Sequence, residues 1–234
     1  MKSTILDKSK LVNSVFSKVY HKYDLMNDIM SFGIHRVWKE KFIDWMNPLP
    51  NTKLIDVASG TGDIAKLYLN KLSNLGHAVC LEPNGQMLKQ GKTKLSNYKN
   101  IKWINTQAES IPINDNTFDY YSISFGIRNV SDINLTLKEA FRVLKPGGRF
   151  MCLEFSKIDN EFLNFLYKNY SKSIPYIGKF IVGSEKPYKY LIESIDKFLN
   201  QNQLIELMIK NGFANVEFRN LTNGVSAIHS GWKI

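Results

Sequence analysis

Two glycines and two carboxylates carry the most chemistry in this chain. Residues 55–63 read IDVASGTGD, an apolar run that ends in a glycine-rich turn. Gly60 and Gly62 let a backbone approach a ligand closely, and the helix expected to follow offers its free N–H groups. Glu82 closes the next apolar run, HAVCLE, twenty residues after Gly62. A carboxylate there can accept hydrogen bonds from both ribose hydroxyls of an adenosine.

NAD and S-adenosylmethionine both present such a ribose. The turn continues as GTGDIA, with alanine at the third position of the GxGxxG pattern, so the loop alone is compatible with either. Three features favour S-adenosylmethionine. Asp56 falls near the end of the first strand, where methyltransferases place an acid. Gln107-Ala108-Glu109 follow the third strand, where the edge of an adenine is held. The LKPGG turn at 144–148 and the terminal hairpin match methyltransferase topology. No metal is expected, because Cys80 and Cys152 stand alone in apolar runs, as buried thiols of a reducing compartment do.

These residues need a parallel sheet to hold them. Segments 53–58, 77–82, 101–105, 118–125 and 148–155 are short and apolar, and amphipathic stretches separate them. Ser131 is the expected cap of the helix before the fifth strand, with Ile133, Leu137, Phe141 and Leu144 as its inner stripe. Leu204, Leu207 and Met208 line a later helix that Gly212 ends, and Asn223-Gly224 predicts a two-residue hairpin. The fold expected is α/β: a doubly wound, mostly parallel sheet of seven strands, with a helical cap at 1–50 and a C-terminal antiparallel hairpin. A chain of 234 residues suits one domain, 1–234, with its cofactor core at 51–156 and a substrate- and membrane-facing part at 157–234.

Charge narrows the partners. The net charge is +10, but the excess is spread along the chain and 26 lysines stand against five arginines. Arginine is the better bidentate reader of phosphates and bases, so specific nucleic-acid binding is not expected. No apolar run approaches the roughly 18 residues of a membrane-spanning helix, and the N-terminus lacks the apolar centre of a signal peptide. A cytoplasmic protein is expected.

Six blocks carry a family resemblance: YDLMNDIMSFGIHRVWK (23–39), IDVASGTGD (55–63), ISFGIRNVSD (123–132), RVLKPGGRFMCLEFSK (142–157), YKYLIESIDKF (188–198) and LTNGVSAIHSGWK (221–233). Together they resemble the ubiquinone/menaquinone biosynthesis C-methyltransferases, the UbiE family, over nearly the whole chain. The resemblance implies a class I S-adenosylmethionine-dependent methyltransferase fold and methyl transfer to a ring carbon of a prenylated benzoquinol or naphthoquinol. It implies cofactor contacts at Thr61, Glu82, Gln107, Ala108 and Ser124. Glu82 and Gln107 stand where family members commonly carry aspartate and a shorter Asn or Asp, so Gln107 must reach differently.

A ring carbon becomes a good nucleophile when the neighbouring hydroxyl loses its proton. The site therefore needs a proton acceptor or a fixed cation. Arg128, in a family-specific block after the fourth strand, is expected to stabilise the developing phenolate; its alternative is a structural pair with Glu154. Tyr23 is a candidate for bonding the cofactor carboxylate or the quinol, and His35 for taking the proton near neutral pH. Residues 162–190 interleave eight aromatics with five lysines, a composition suited to docking on an anionic membrane where such a quinol resides. Peripheral contact with the inner membrane face is thus a further expectation, and a homodimer or a quinone-synthesising assembly stays open. Two rival functions also stay open: an RNA methyltransferase, against which the absence of a [DN]PP[YF] clamp argues, and a non-catalytic cofactor-binding scaffold.

Overall fold

The computed structural model describes residues 28, 31, 33–158, 170 and 185–234. Seven strands form one sheet in the order β3-β2-β1-β4-β5-β7-β6. They are β1 (Lys53–Val57), β2 (His77–Leu81), β3 (Ile101–Ile104), β4 (Phe118–Ser124), β5 (Leu144–Phe155), β6 (Ala214–Leu221) and β7 (Ser226–Trp232). The first five run parallel, while β7 pairs antiparallel with both β5 and β6. The order reverses between β1 and β4, which opens a crevice at their carboxyl ends.

Six described helices pack on this sheet: α1 (His35–Met46), α2 (Asp63–Lys71), α3 (Gly85–Lys94), α4 (Ile133–Val143), α5 (Lys186–Asp196) and α6 (Gln201–Lys210). Strand alternation sorts the core. Leu54, Cys80, Met151 and Leu153 meet Trp38, Phe42, Tyr68 and Tyr188 of α1, α2 and α5. Ile55, Val57, Ile123 and Cys152 meet Leu137, Val143, Leu204 and Met208 of α4 and α6. Burial on both faces is why the parallel strands read as continuous apolar runs.

Four local expectations change. Asp132, rather than Ser131, caps α4, its carboxylate accepting from the Leu135 N–H at 3.1 Å, while Glu109 accepts from the N–H groups of both Ser131 and Asp132. The buried stripe of α4 is Thr136, Leu137, Ala140 and Val143, with Ile133 and Phe141 only partly covered. The LKPGG segment is a bulge within β5, where the register with β4 shifts between Phe118 and Tyr120. The hairpin loop is longer than two residues: Leu221 pairs Ser226, and Thr222–Gly224 form a 3-10 turn whose Thr222 Oγ1 accepts from the Trp38 indole at 2.9 Å.

Candidate active site

The glycine-rich turn joins β1 to α2. Ala58, Gly60 and Gly62 all take positive φ, at 51°, 57° and 85°. Alanine rarely accepts such a φ. Here Gly126 makes room, since a Cβ on it would come within 2.6 Å of the Ala58 Cβ. Gly62 faces away from the crevice, and a Cβ there would meet Leu95 and Trp103. Gly60 and Thr61 line the crevice together with Asp56, Ser59 and Ser124.

Glu82 lies at the carboxyl end of β2, and its carboxylate is held from both sides. It accepts from the Gly60 N–H at 2.9 Å through Oε2 and from the Asn84 N–H at 2.8 Å through Oε1. Burial lifts this carboxyl to about 7, against the pull of those two N–H groups. Each oxygen keeps a lone pair for another donor.

Asp56 sits directly across from Ser122 in the β1–β4 pairing, and its Oδ1 accepts from the Ser122 hydroxyl at 2.7 Å. Burial raises the Asp56 carboxyl to about 7, opposed by that hydroxyl and by the Ala65 N–H in the first turn of α2. Asp56 Oδ2 and Ser124 Oγ are buried without a hydrogen-bond partner. An unsatisfied buried polar group costs on the order of 1–3 kcal/mol, so these atoms suit a ligand that brings donors and acceptors of its own. The amino-acid head and ribose of S-adenosylmethionine have that character, and the crevice residues fit them.

Asp63 is the first residue of α2, where its charge also suits the helix dipole. The structure gives it two partners. Its Oδ2 accepts from Lys39 Nζ at 2.7 Å and its Oδ1 from Lys94 Nζ at 2.8 Å. Burial alone would raise the Asp63 carboxyl, but the two ammoniums outweigh it and hold it well below the usual range. Lys94 also donates to Thr61 Oγ1 at 3.2 Å. Beyond β3, Asn105 donates to the Glu82 and Pro83 carbonyls, at 2.7 and 3.0 Å, and so fastens the two strand ends. Ala108 is buried in the α4-side core, while Gln107 is exposed at the surface.

The catalytic candidates divide. Arg128, in the 3-10 turn Ile127–Asn129, donates to Glu154 and to the Phe125 carbonyl at 2.8 Å. Both partners of that ion pair are almost fully buried. The structural pair named as its alternative is therefore present. Asn129 in the same turn accepts from the Tyr190 hydroxyl of α5 at 3.1 Å. His35 opens α1, its Nε2 2.9 Å from Asp28 Oδ1. The Arg36 guanidinium holds Asp28 below its ordinary value, so the carboxylate is charged and the imidazole donates from Nε2. Burial, with the charge of Lys39, pushes His35 below its usual range, leaving Nδ1 a buried lone-pair atom without a partner. Tyr23 and most of 162–190 lie outside the described residues.

Known proteins resemble this chain in sequence and in fold. Ubiquinone/menaquinone biosynthesis C-methyltransferases UbiE of Rickettsia akari and Rhizobium rhizogenes are 50% and 47% identical to this chain; each comparison covers 97% of it, and 94% and 91% of the respective relative. Among solved structures, a methyltransferase of Thermotoga maritima aligns over 94% of this chain and 99% of its own, with TM-score 0.66 and 20% identity. One from Aquifex aeolicus aligns over 92% and 97%, with TM-score 0.63 and 16% identity. Those two likenesses speak for the fold alone. The family's own sequence pattern runs through residues 3–233, across the turn, the Glu82 carboxylate and the Arg128 block alike, and the chain belongs to the ubiE/COQ5 methyltransferase family.

Proposed function

We propose that this protein transfers a methyl group from S-adenosylmethionine to a ring carbon of a prenylated benzoquinol or naphthoquinol, in ubiquinone or menaquinone synthesis. The observation that carries the reading is the crevice lined by Asp56, Gly60, Thr61 and Ser124, with Glu82 held beside it by the Gly60 N–H, in a chain of this family. S-adenosylmethionine supplies an electrophilic methyl on a sulfonium when bound. The residues do the rest. Glu82 accepts from the ribose hydroxyls, Thr61 and Ser124 border the methionine end, and Gln107 and Ala108 border the adenine.

Ring methylation forms a carbon–carbon bond as the sulfur–methyl bond breaks. The hydroxyl proton leaves first to the base; after methylation the ring proton passes to solvent and the ring oxygen regains one, which restores the aromatic quinol with one proton released overall. His35 Nδ1 has the lone pair to accept the first proton, with Asp28 orienting the ring. Arg128, fixed by Glu154, supplies the constant positive charge that favours the quinolate. Tyr23, outside the described residues, stays the candidate for bonding the cofactor carboxylate or the quinol. The substrate is lipophilic, and no described helix is long and apolar enough to cross a membrane. Residues 162–190, rich in lysine and aromatics, are the proposed contact with an anionic bilayer. Vesicles containing anionic lipid should then retain the protein at low salt and release it as salt rises.

The direct test incubates the protein with S-adenosylmethionine and a short-chain demethylated quinol. A product heavier by one methylene is expected, with the methyl on carbon. Cofactor binding without transfer to any benzoquinol or naphthoquinol would sink the quinol assignment.

A further inference from the structure

One cation in the crevice belongs to no nucleotide-binding motif. Lys39 comes from α1, which precedes the sheet, yet its side chain reaches the crevice that Asp56, Gly60, Thr61 and Ser124 line. That side chain is only 9% exposed. A buried ammonium requires a compensating anion. Its hydrogen bond goes to Asp63, and Asp63 serves Lys94 as well. Two ammoniums thus share one carboxylate, and among the described residues Asp63 is the one hydrogen-bond partner of the Lys39 side chain, whose ammonium carries three N–H donors. The amino end of α2 adds positive potential at the same place.

Beside this surplus of positive charge stands an acceptor that lacks a donor. Asp56 Oδ2 is buried in the same crevice wall and makes no well-formed hydrogen bond among the described residues, the Ala65 N–H bearing on this carboxyl without closing one. An ammonium and a free carboxylate oxygen side by side match a zwitterion. The amino-acid head of S-adenosylmethionine is one.

We propose that Lys39 binds the α-carboxylate of S-adenosylmethionine while Asp56 Oδ2 takes the α-ammonium, so that α1 closes the cofactor site. The proposal rests on the cofactor reading above and names the residue that discriminates the head. It also explains why a helix outside the nucleotide-binding unit carries a buried lysine. Head recognition is the same for the donor and for the demethylated product, so Lys39 holds both equally and sets where the sulfur lies rather than the barrier itself.

The test is calorimetric titration with S-adenosylmethionine and with its decarboxylated analogue, which keeps the sulfonium and amine but lacks the carboxylate. The wild type should prefer the intact compound by about ten- to a hundredfold, the range of one charge-assisted contact. In Lys39→Met that preference should shrink to within about threefold, while Lys39→Arg should retain part of it. Affinity for S-adenosylhomocysteine should fall in Lys39→Met by the same factor as for the donor. The preference is a ratio within one variant, so general loosening of the α1–α2 contact does not mimic it. Should Lys39→Met not fold, Lys39→Gln, which can still donate to Asp63, gives the same ratio. A Lys39 variant that discriminates as strongly as the wild type overturns the proposal, as does a wild type that binds both compounds equally. A wild type that binds neither overturns the cofactor reading itself.

Discussion

Arg128 and Glu154 form an ion pair whose side chains are 2% and 1% exposed, joining the turn after β4 to the carboxyl end of β5. Glu154 Oε1 also accepts from the Phe155 N–H at 2.9 Å, and Oε2 faces the Arg128 N–H at 3.4 Å. Burial raises this carboxyl, and the guanidinium opposes that rise. Arg128→Ala should therefore destabilise the fold by about 3–5 kcal/mol, the cost of stranding one buried charge. Arg128→Met with Glu154→Gln should recover most of the melting temperature. In that double variant cofactor affinity should stay within a few-fold while the single-turnover rate falls by about 10²–10³, the loss that accompanies removal of an oriented charge. A double variant with normal turnover would reduce Arg128 to a structural strut.

Glu82 should make cofactor binding pH-dependent. Its carboxyl sits at about 7 in the folded protein, raised by burial from an ordinary 4.5. The charged form is the better acceptor for ribose hydroxyls, so S-adenosylmethionine affinity should fall as pH drops below 7. Stability of the ligand-free protein runs the other way. A folded value above the unfolded one contributes stability fully below about pH 4.5 and loses it as pH rises through 7. Glu82→Gln should thus gain melting temperature relative to the wild type between pH 5 and 8, and should bind the cofactor with a flatter pH profile. Parallel profiles for the two proteins would contradict the ribose assignment.

The turn and the strands were legible because each has a local signature. IDVASGTGD joins an apolar run to closely spaced glycines, and Glu82 ends the next run. Helix α5 was less visible, although Pro187 stands in its first turn and Tyr188, Leu191 and Ile195 form its buried stripe. An aromatic and lysine-rich neighbourhood masked that periodicity. Lys39 was invisible for a different reason. On sequence it belongs to a charged helix face, and only the packing of α1 on α2 brings it to Asp63, 24 positions away. The Arg128–Glu154 pair could be named but not chosen over a guanidinium aimed at the phenolate, because burial of a charge is decided by tertiary contacts.

His35 should control the acid side of the rate profile. It is neutral near pH 7, since burial and the Lys39 charge lower its value from 6.5. A base of this kind is lost by protonation, so the single-turnover rate should decline as pH falls below the ordinary histidine range. His35→Gln should cost about 10²–10⁴ in rate, the usual worth of a positioned general base, and should abolish that acid limb. Asp28→Asn should leave a smaller loss and shift the limb, because it removes the group that orients Nε2–H. A His35→Gln profile that keeps the wild-type acid limb would assign the proton to another residue.

Three glycines around α3 should respond to the same substitution in opposite ways. A Cβ on Gly62 would lie 2.7 Å from Leu95 Cδ1 and 2.8 Å from the Trp103 ring, and one on Gly91 only 2.3 Å from that ring. Both positions meet the Cη2 end of the Trp103 indole. Gly62 carries in addition a φ of +85°. Gly62→Ala should therefore cost roughly 1–3 kcal/mol for overpacking and about 1–2 kcal/mol more for the left-handed backbone. It should also weaken S-adenosylmethionine binding, since the turn that carries Gly60 and Thr61 must shift. Gly91→Ala should destabilise with little effect on the residues that line the crevice, because the clash is with Trp103 alone. Gly85 is the control: nothing lies within 4 Å of its Cβ position, and it begins α3 just after the Asn84 cap. Gly85→Ala should stabilise by about 0.4–1 kcal/mol through the unfolded chain. Thermal melts of the three variants, each with and without cofactor, check the series. A Gly62→Ala protein with wild-type melting temperature and cofactor affinity would mean that the turn does not depend on the Trp103 contact.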